Sequence, residues 1–164
     1  MFCSLAARIP GCSFLDLFAG SGAVGLEAWS RGADRVTWVE KDAKACSVIR
    51  ENLAALGGKE GRESGLGLAR SDVFAWLGGV SGLGFDVIFA DPPYAVGDEG
   101  LWPGLLGALA RPGLLAEGGV LVVEEAAGSE PVTHAGWTTV RDRKYGATRL
   151  IFMEPVSARK EGLE

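Results

Sequence analysis

A glycine-rich turn between an apolar run and a helix-forming stretch most narrows the folds open to this chain. Phe14-Leu15-Asp16-Leu17-Phe18 is short and apolar, ends in Ala19, and leads into Gly20-Ser21-Gly22-Ala23-Val24-Gly25. Glycines at that G-x-G-x-x-G spacing let the backbone leave a strand and come close to a ligand before a helix opens. Good helix formers dominate residues 23–31, and Gly32 supplies the stop. Arg35-Val36-Thr37-Trp38-Val39-Glu40 then carries the β-branched and aromatic side chains of a strand.

The same alternation continues. Asp42 can cap a helix running to Leu56, with Ala45, Val48, Ile49, Leu53 and Leu56 at helical spacing. A Gly-rich, charged loop is expected over 57–67, a weak edge strand over 67–72 and a short helix over 73–77. Phe85-Asp86-Val87-Ile88-Phe89-Ala90 has the composition of a central strand. Residues 101–110 read as a helix broken by Pro112-Gly113, and 119–124 as a buried strand. Segments 137–143 and 148–153, joined across Lys144-Tyr145-Gly146, form a closing hairpin. The expected fold is therefore α/β, a doubly wound, mainly parallel sheet covered on both faces, with a C-terminal antiparallel hairpin at one edge. One domain spans 1–155, and 156–164 is expected to be a disordered tail. Ligands of such sheets bind outside the carboxyl ends of the strands, where strand order reverses.

Composition excludes several classes. No apolar run in the 164 residues approaches membrane-spanning length, and residues 1–8 lack the layout of a secretion signal. Cys3, Cys12 and Cys46 have no metal-ligand spacing and read as reduced thiols of a cytoplasmic protein. His134, in a Gly/Pro-flanked stretch, reads as a loop residue, and no metal site is expected. The net charge of −5 argues against a broad nucleic-acid grip, so any polynucleotide must be held through a local patch. Arg141, Arg143, Lys144 and Arg149 are the dense basic group: either phosphate contacts or a solvated hairpin. A monomer is expected.

Two sets of residues carry chemistry. Asp91-Pro92-Pro93-Tyr94 follows the central strand directly. Two prolines fix the backbone and remove two N–H donors, leaving the Asp91 and Pro92 carbonyls, a carboxylate and an aromatic ring to receive a planar group bearing an amine. The bland alternative is a proline-stiffened turn. Upstream, the glycine turn with Glu40, twenty residues after Gly20, fits dinucleotide binding, the acid accepting from ribose hydroxyls. Asp16, however, would repel a pyrophosphate and suits an ammonium. Asp72 can cap the helix that follows it or accept from an adenine amine. S-adenosylmethionine matches Asp16, Glu40 and Asp72 together; a nicotinamide-dependent oxidoreductase is the rival reading.

Asp16-Leu17-Phe18-Ala19-Gly20-Ser21-Gly22, Glu40 and Asp91-Pro92-Pro93-Tyr94 resemble the Rossmann-like S-adenosylmethionine-dependent methyltransferases of exocyclic amines. More narrowly, the run 14–42, with Gly25-Leu26-Glu27-Ala28, Ser30-Arg31-Gly32-Ala33 and the late Tyr145-Gly146-Ala147-Thr148, is similar to the RsmD family, which methylates the N2 amine of a guanine in bacterial 16S ribosomal RNA. The resemblance implies a catalytic set of Asp91, Pro92, Pro93 and Tyr94. It implies a cofactor set of Asp16, Phe18, Ala19, Gly20, Ser21, Gly22, Glu40, Lys41, Asp72, Val73 and Asp91. Its implied partner is ribosomal RNA or a small-subunit ribosomal particle. The family pattern also includes a basic segment upstream of where Met1 stands, so the expectation is either that the start is misassigned or that part of an RNA-contact surface is missing. Two alternatives stay open: an adenine-N6 or cytosine-N4 methyltransferase of DNA or RNA, and a truncated, non-catalytic module of the same fold.

Overall fold

Seven strands form one sheet in the order β3-β2-β1-β4-β5-β7-β6. The computed structural model describes residues 1–93 and 100–156. Along the chain run α1 (Phe2–Leu5), β1 (Ser13–Leu17), α2 (Ala23–Ser30), β2 (Arg35–Glu40), α3 (Ala43–Ala55) and β3 (Leu66–Arg70). They are followed by α4 (Val73–Gly79), β4 (Phe85–Ala90), α5 (Leu101–Leu109), β5 (Leu115–Ala126), β6 (Trp137–Tyr145) and β7 (Thr148–Pro155). The first five strands are parallel, and β7 enters antiparallel between β5 and β6. The doubly wound α/β sheet with a C-terminal hairpin is thus the observed fold. Among the described residues no helix is long and apolar enough to cross a membrane.

Strand alternation divides the core in two. Phe14, Val36, Trp38, Val87, Phe89, Val120, Val122, Leu150 and Phe152 point to the face covered by α2 and α3. Leu15, Leu17, Val39, Ile88, Ala90, Leu121, Val123, Ile151 and Met153 point to the face covered by α4 and α5. Successive side chains of a strand alternate, so a strand covered on both sides reads as a continuous apolar run. β1 is buried at all five positions.

Some boundaries differ from expectation for physical reasons. In α3 the buried positions are Cys46, Ile49 and Leu53, whereas Val48 and Leu56 face solvent. Their spacing suits a neighbouring stripe, but only the Cys46 side of the helix lies over β2. β5 starts at Leu115, four residues early, because Leu115 pairs with Phe85 before an irregularity shifts the register to Val87–Val120. The hairpin closes across Gly146-Ala147, since Tyr145 already pairs with Thr148. Of the expected disordered tail, residues 157–164 lie outside the described residues.

Candidate functional site

β1 has β2 on one side and β4 on the other, so strand order reverses between β1 and β4. A cavity of about 380 Å³ opens there, at the carboxyl ends of the strands. Phe18, Gly20, Val39, Glu40, Lys41, Ser71, Asp72, Val73, Asp91, Pro92 and Pro93 line it. The glycine turn and the diproline corner, seventy residues apart in sequence, therefore share one cavity.

The turn is built from its glycines. Gly20 and Gly22 have φ of 53° and 75°, and Phe18 adopts φ 57° without being a glycine. A bulky residue in the left-handed region is strained by about 1–3 kcal/mol, a cost that clusters at functional sites. Gly25 serves packing: a Cβ there would stand 2.2 Å from Trp38 Nε1 and 2.9 Å from Val36 Cγ1. The third glycine lets α2 lie directly on β2, and Trp38 Nε1 donates to the Gly22 carbonyl at 3.2 Å. At Gly20 an added Cβ would meet nothing within 4 Å, so open space lies over this part of the turn.

Glu40 fixes the other side. Its Oε2 accepts from Gly20 N–H and its Oε1 from Asp42 N–H, each at 2.8 Å. Each carboxylate oxygen keeps a further acceptor site. Asp72 caps α4, its Oδ1 accepting from Phe74 and Ala75 N–H, and the residue also lines the cavity. Phe18, Val39 and Val73 add apolar wall to the same cavity.

Asp16 is placed differently from expectation. It is 2 % exposed, does not line the cavity, and its Oδ2 accepts from Gly25 N–H at 2.8 Å. One oxygen of the carboxyl group thus braces the start of α2. Burial pushes its pKa up to about 8, opposed by the Gly25 hydrogen bond and reinforced by the charges of Asp91 and Glu40. Ala19, Ser21 and Gly22 also lie off the lining: they shape the turn, with Ala19 N–H donating to the Val39 carbonyl and Asn52 Nδ2 donating to the Ser21 carbonyl. Val39 and Ser71 line the cavity unforeseen. Their signal was position alone, one residue before Glu40 and Asp72 at the ends of neighbouring strands.

At the corner, Asp91 is partly exposed, Pro92 buried and Pro93 exposed. Burial raises the Asp91 pKa. Tyr94 lies outside the described residues. The expected basic group divides. Arg149 is 8 % exposed and committed to Asp142, with both carboxylate oxygens accepting from its guanidinium, so it is not an open phosphate contact. Arg141 and Arg143 are exposed and stand opposite Phe152 and Leu150, hence on the α2 face, with the Arg141 guanidinium 5.9 Å from the Phe152 ring centre. Lys144 points to the other face.

The geometry has counterparts in known proteins. Residues 1–154 match the family described as Conserved hypothetical protein 95. Ribosomal RNA small subunit methyltransferase D of Escherichia coli (strain K12) is 33% identical over 147 residues, covering 89% of this chain and 70% of that protein. YlbH of Bacillus subtilis (strain 168) is 34% identical over 151 residues, covering 90% of this chain and 78% of that protein. The solved structure of yhhF from Escherichia coli superposes with a TM-score of 0.79 at 30% identity, covering 94% of this chain and 81% of that one.

Proposed function

Because this chain belongs to the Conserved hypothetical protein 95 family, we propose that it transfers a methyl group from S-adenosylmethionine to the N2 amine of a guanine in small-subunit ribosomal RNA. The observation that carries this reading is that the Asp91-Pro92-Pro93 corner opens onto the same cavity as Glu40 and Asp72. The resemblance of the sequence motifs to the RsmD family and the name of the Escherichia coli relative support the ribosomal substrate.

The residues fit the cofactor. A nucleoside with a diol and an amine needs acceptors in an apolar slot, and Glu40 and Asp72 line the cavity together with Phe18, Val39 and Val73. The open space over Gly20 leaves room for the amino-acid portion. When bound, the cofactor supplies a methyl group on a sulfonium, whose departure leaves a neutral thioether. What remains for the chain is to hold the acceptor nitrogen in line and keep water out.

An aromatic-ring amine is a weak nucleophile because its lone pair is delocalised. The Asp91 carboxylate and the Pro92 carbonyl accept from its two N–H groups, which favours a more tetrahedral nitrogen with its lone pair aimed at the methyl group. Proton loss follows transfer, so no strong base is required. The base must be unstacked to reach the corner. Arg141 and Arg143, on the α2 face of the edge strand, are the proposed phosphate contacts.

Calorimetric titration with S-adenosylmethionine and with NADH tests the cofactor: binding of the former alone is expected, and binding of NADH alone would overturn the reading. Transfer of labelled methyl groups to ribosomal RNA from a strain lacking this activity, followed by mapping of the modified nucleotide, tests the substrate. A labelled adenine or cytosine in place of guanine would sink the guanine assignment.

A further inference from the structure

β4 and β5 run parallel with Ala90 beside Val123, which places Asp91 next to Glu124 at the carboxyl edge of the sheet. Adjacent strands lie about 4.8 Å apart, so the two residues are neighbours, and the Asp91 charge acts on the Glu124 carboxyl. Both continue the side-chain alternation of the α2 face: Val87 and Phe89 precede Asp91, and Val120 and Val122 precede Glu124. Both are partly exposed, within reach of a ligand. Thr148, opposite Ala126 on β7 and so diagonal to Glu124, turns its hydroxyl to the Glu124 carboxylate. Glu124 does not line the cavity that would hold the cofactor. It stands on the side of Asp91 away from β1, adjacent to any base whose amine is held at the corner.

The amine-bearing bases differ in the ring atom next to the amine. In adenine and cytosine that nitrogen, N1 or N3, is an acceptor with a lone pair, whereas N1 of guanine carries a hydrogen. A carboxylate accepts from the N1–H of guanine and repels the lone pair of the other two. The diproline corner recognises only an NH₂, so discrimination needs a second group, including one that rejects the wrong base. We infer that Glu124 is the residue that selects guanine, its carboxylate accepting the N1–H of a base whose 2-amino group is held by Asp91 and Pro92.

The inference rests on the methyl-transfer reading above. It is tested with an RNA hairpin carrying the mapped target guanine and a second hairpin carrying 2-aminopurine there, which keeps the 2-amino group but presents N1 as an acceptor. Wild-type protein is expected to show a kcat/KM at least about tenfold lower on the 2-aminopurine RNA. In Glu124→Gln the side-chain amide can donate to that N1, so the guanine preference is expected to fall at least about tenfold, with affinity for S-adenosylmethionine unchanged. Equal wild-type rates on the two RNAs overturn the inference, and this comparison decides alone should the variant not fold. A Glu124→Gln protein with the wild-type preference also overturns it. Failure of the wild type to methylate the guanine RNA at all overturns the methyl-transfer reading, and this inference with it.

Discussion

Asp16 and Asp91 share the α2 face at the carboxyl ends of adjacent strands, and burial raises the pKa of both with different consequences. For Asp16 the consequence is stability. Its folded pKa of about 8 lies above the ordinary value of 3.8, so the native state holds a proton that the unfolded chain releases. Where the folded state binds more protons, stability falls as pH rises. The penalty is absent below about pH 4, grows through pH 8 and is constant above that. Asp16→Asn removes the titration while its amide oxygen can still accept from Gly25 N–H. Urea unfolding should therefore show the variant gaining on the wild type between pH 4 and 8, by a total on the order of a few kcal/mol; a constant difference across that range would contradict the assignment. For Asp91 the consequence is activity. Only the anion accepts strongly from the amine hydrogen that faces it, so the rate should fall on the acid side at a higher pH than an ordinary carboxylate would produce. Asp91→Ala should lower kcat by about 10² or more while leaving the dissociation constant for S-adenosylmethionine within a few-fold. Equal loss of binding and turnover would show that Asp91 serves the cofactor instead. Both residues were recognisable in the sequence, but the direction in which Asp16 points was not. A strand pattern gives the face of a side chain, whereas its partner, Gly25 N–H, depends on how closely α2 approaches β2.

At the scale of elements, that approach is set by one glycine. A methyl group at Gly25 would overlap the Trp38 ring and Val36, and neither the indole nor the buried strand can give way cheaply. Gly25→Ala should cost about 1–3 kcal/mol of stability in chemical denaturation and weaken cofactor binding by displacing the turn. Gly104, within α5, has ordinary contact distance to Phe74 at 3.6 Å, and Gly104→Ala should stabilise by about 0.5–1 kcal/mol through helix propensity. Opposite signs at two helical glycines separate packing from propensity. The parallel β-α alternation, α2 and β2 were legible because glycine turns, caps and apolar runs are local signals. The insertion of β7 between β5 and β6 was not, since hairpin residues 137–153 pair equally well in isolation whichever strand lies against β5. The bonding of Arg149 to Asp142 was hidden too: it runs diagonally across the hairpin, from Arg149 opposite Lys144 to Asp142 opposite Ile151, and so depends on the register.

Across the whole molecule, charge is arranged against a broad RNA grip. Glu40, Asp91 and Glu124 sit along the carboxyl edge of the α2 face, repelling phosphates while favouring N–H donors and a cationic cofactor. Two exposed cations of that face stand on the outer strand: Arg143 shares a cross-sheet row with Leu150 and Glu124, and Arg141 with Phe152 and Val122. Three strand spacings, roughly 14 Å, separate the row position of Arg143 from that of Asp91. A single strand could thus rest its backbone on the hairpin while one base turns in toward the corner. Such a footprint engages few phosphates. With about 0.7 counterions released per single-strand contact, the slope of log affinity against log salt for the target RNA should be no steeper than about −2 to −3. Replacing Arg143 with Ala should make it shallower by about 0.7, whereas Arg149→Ala should leave the slope nearly unchanged and lower stability, since its guanidinium is already bound to Asp142. A slope near −6 in filter-binding assays, or one insensitive to Arg143, would place the RNA on another surface of the protein.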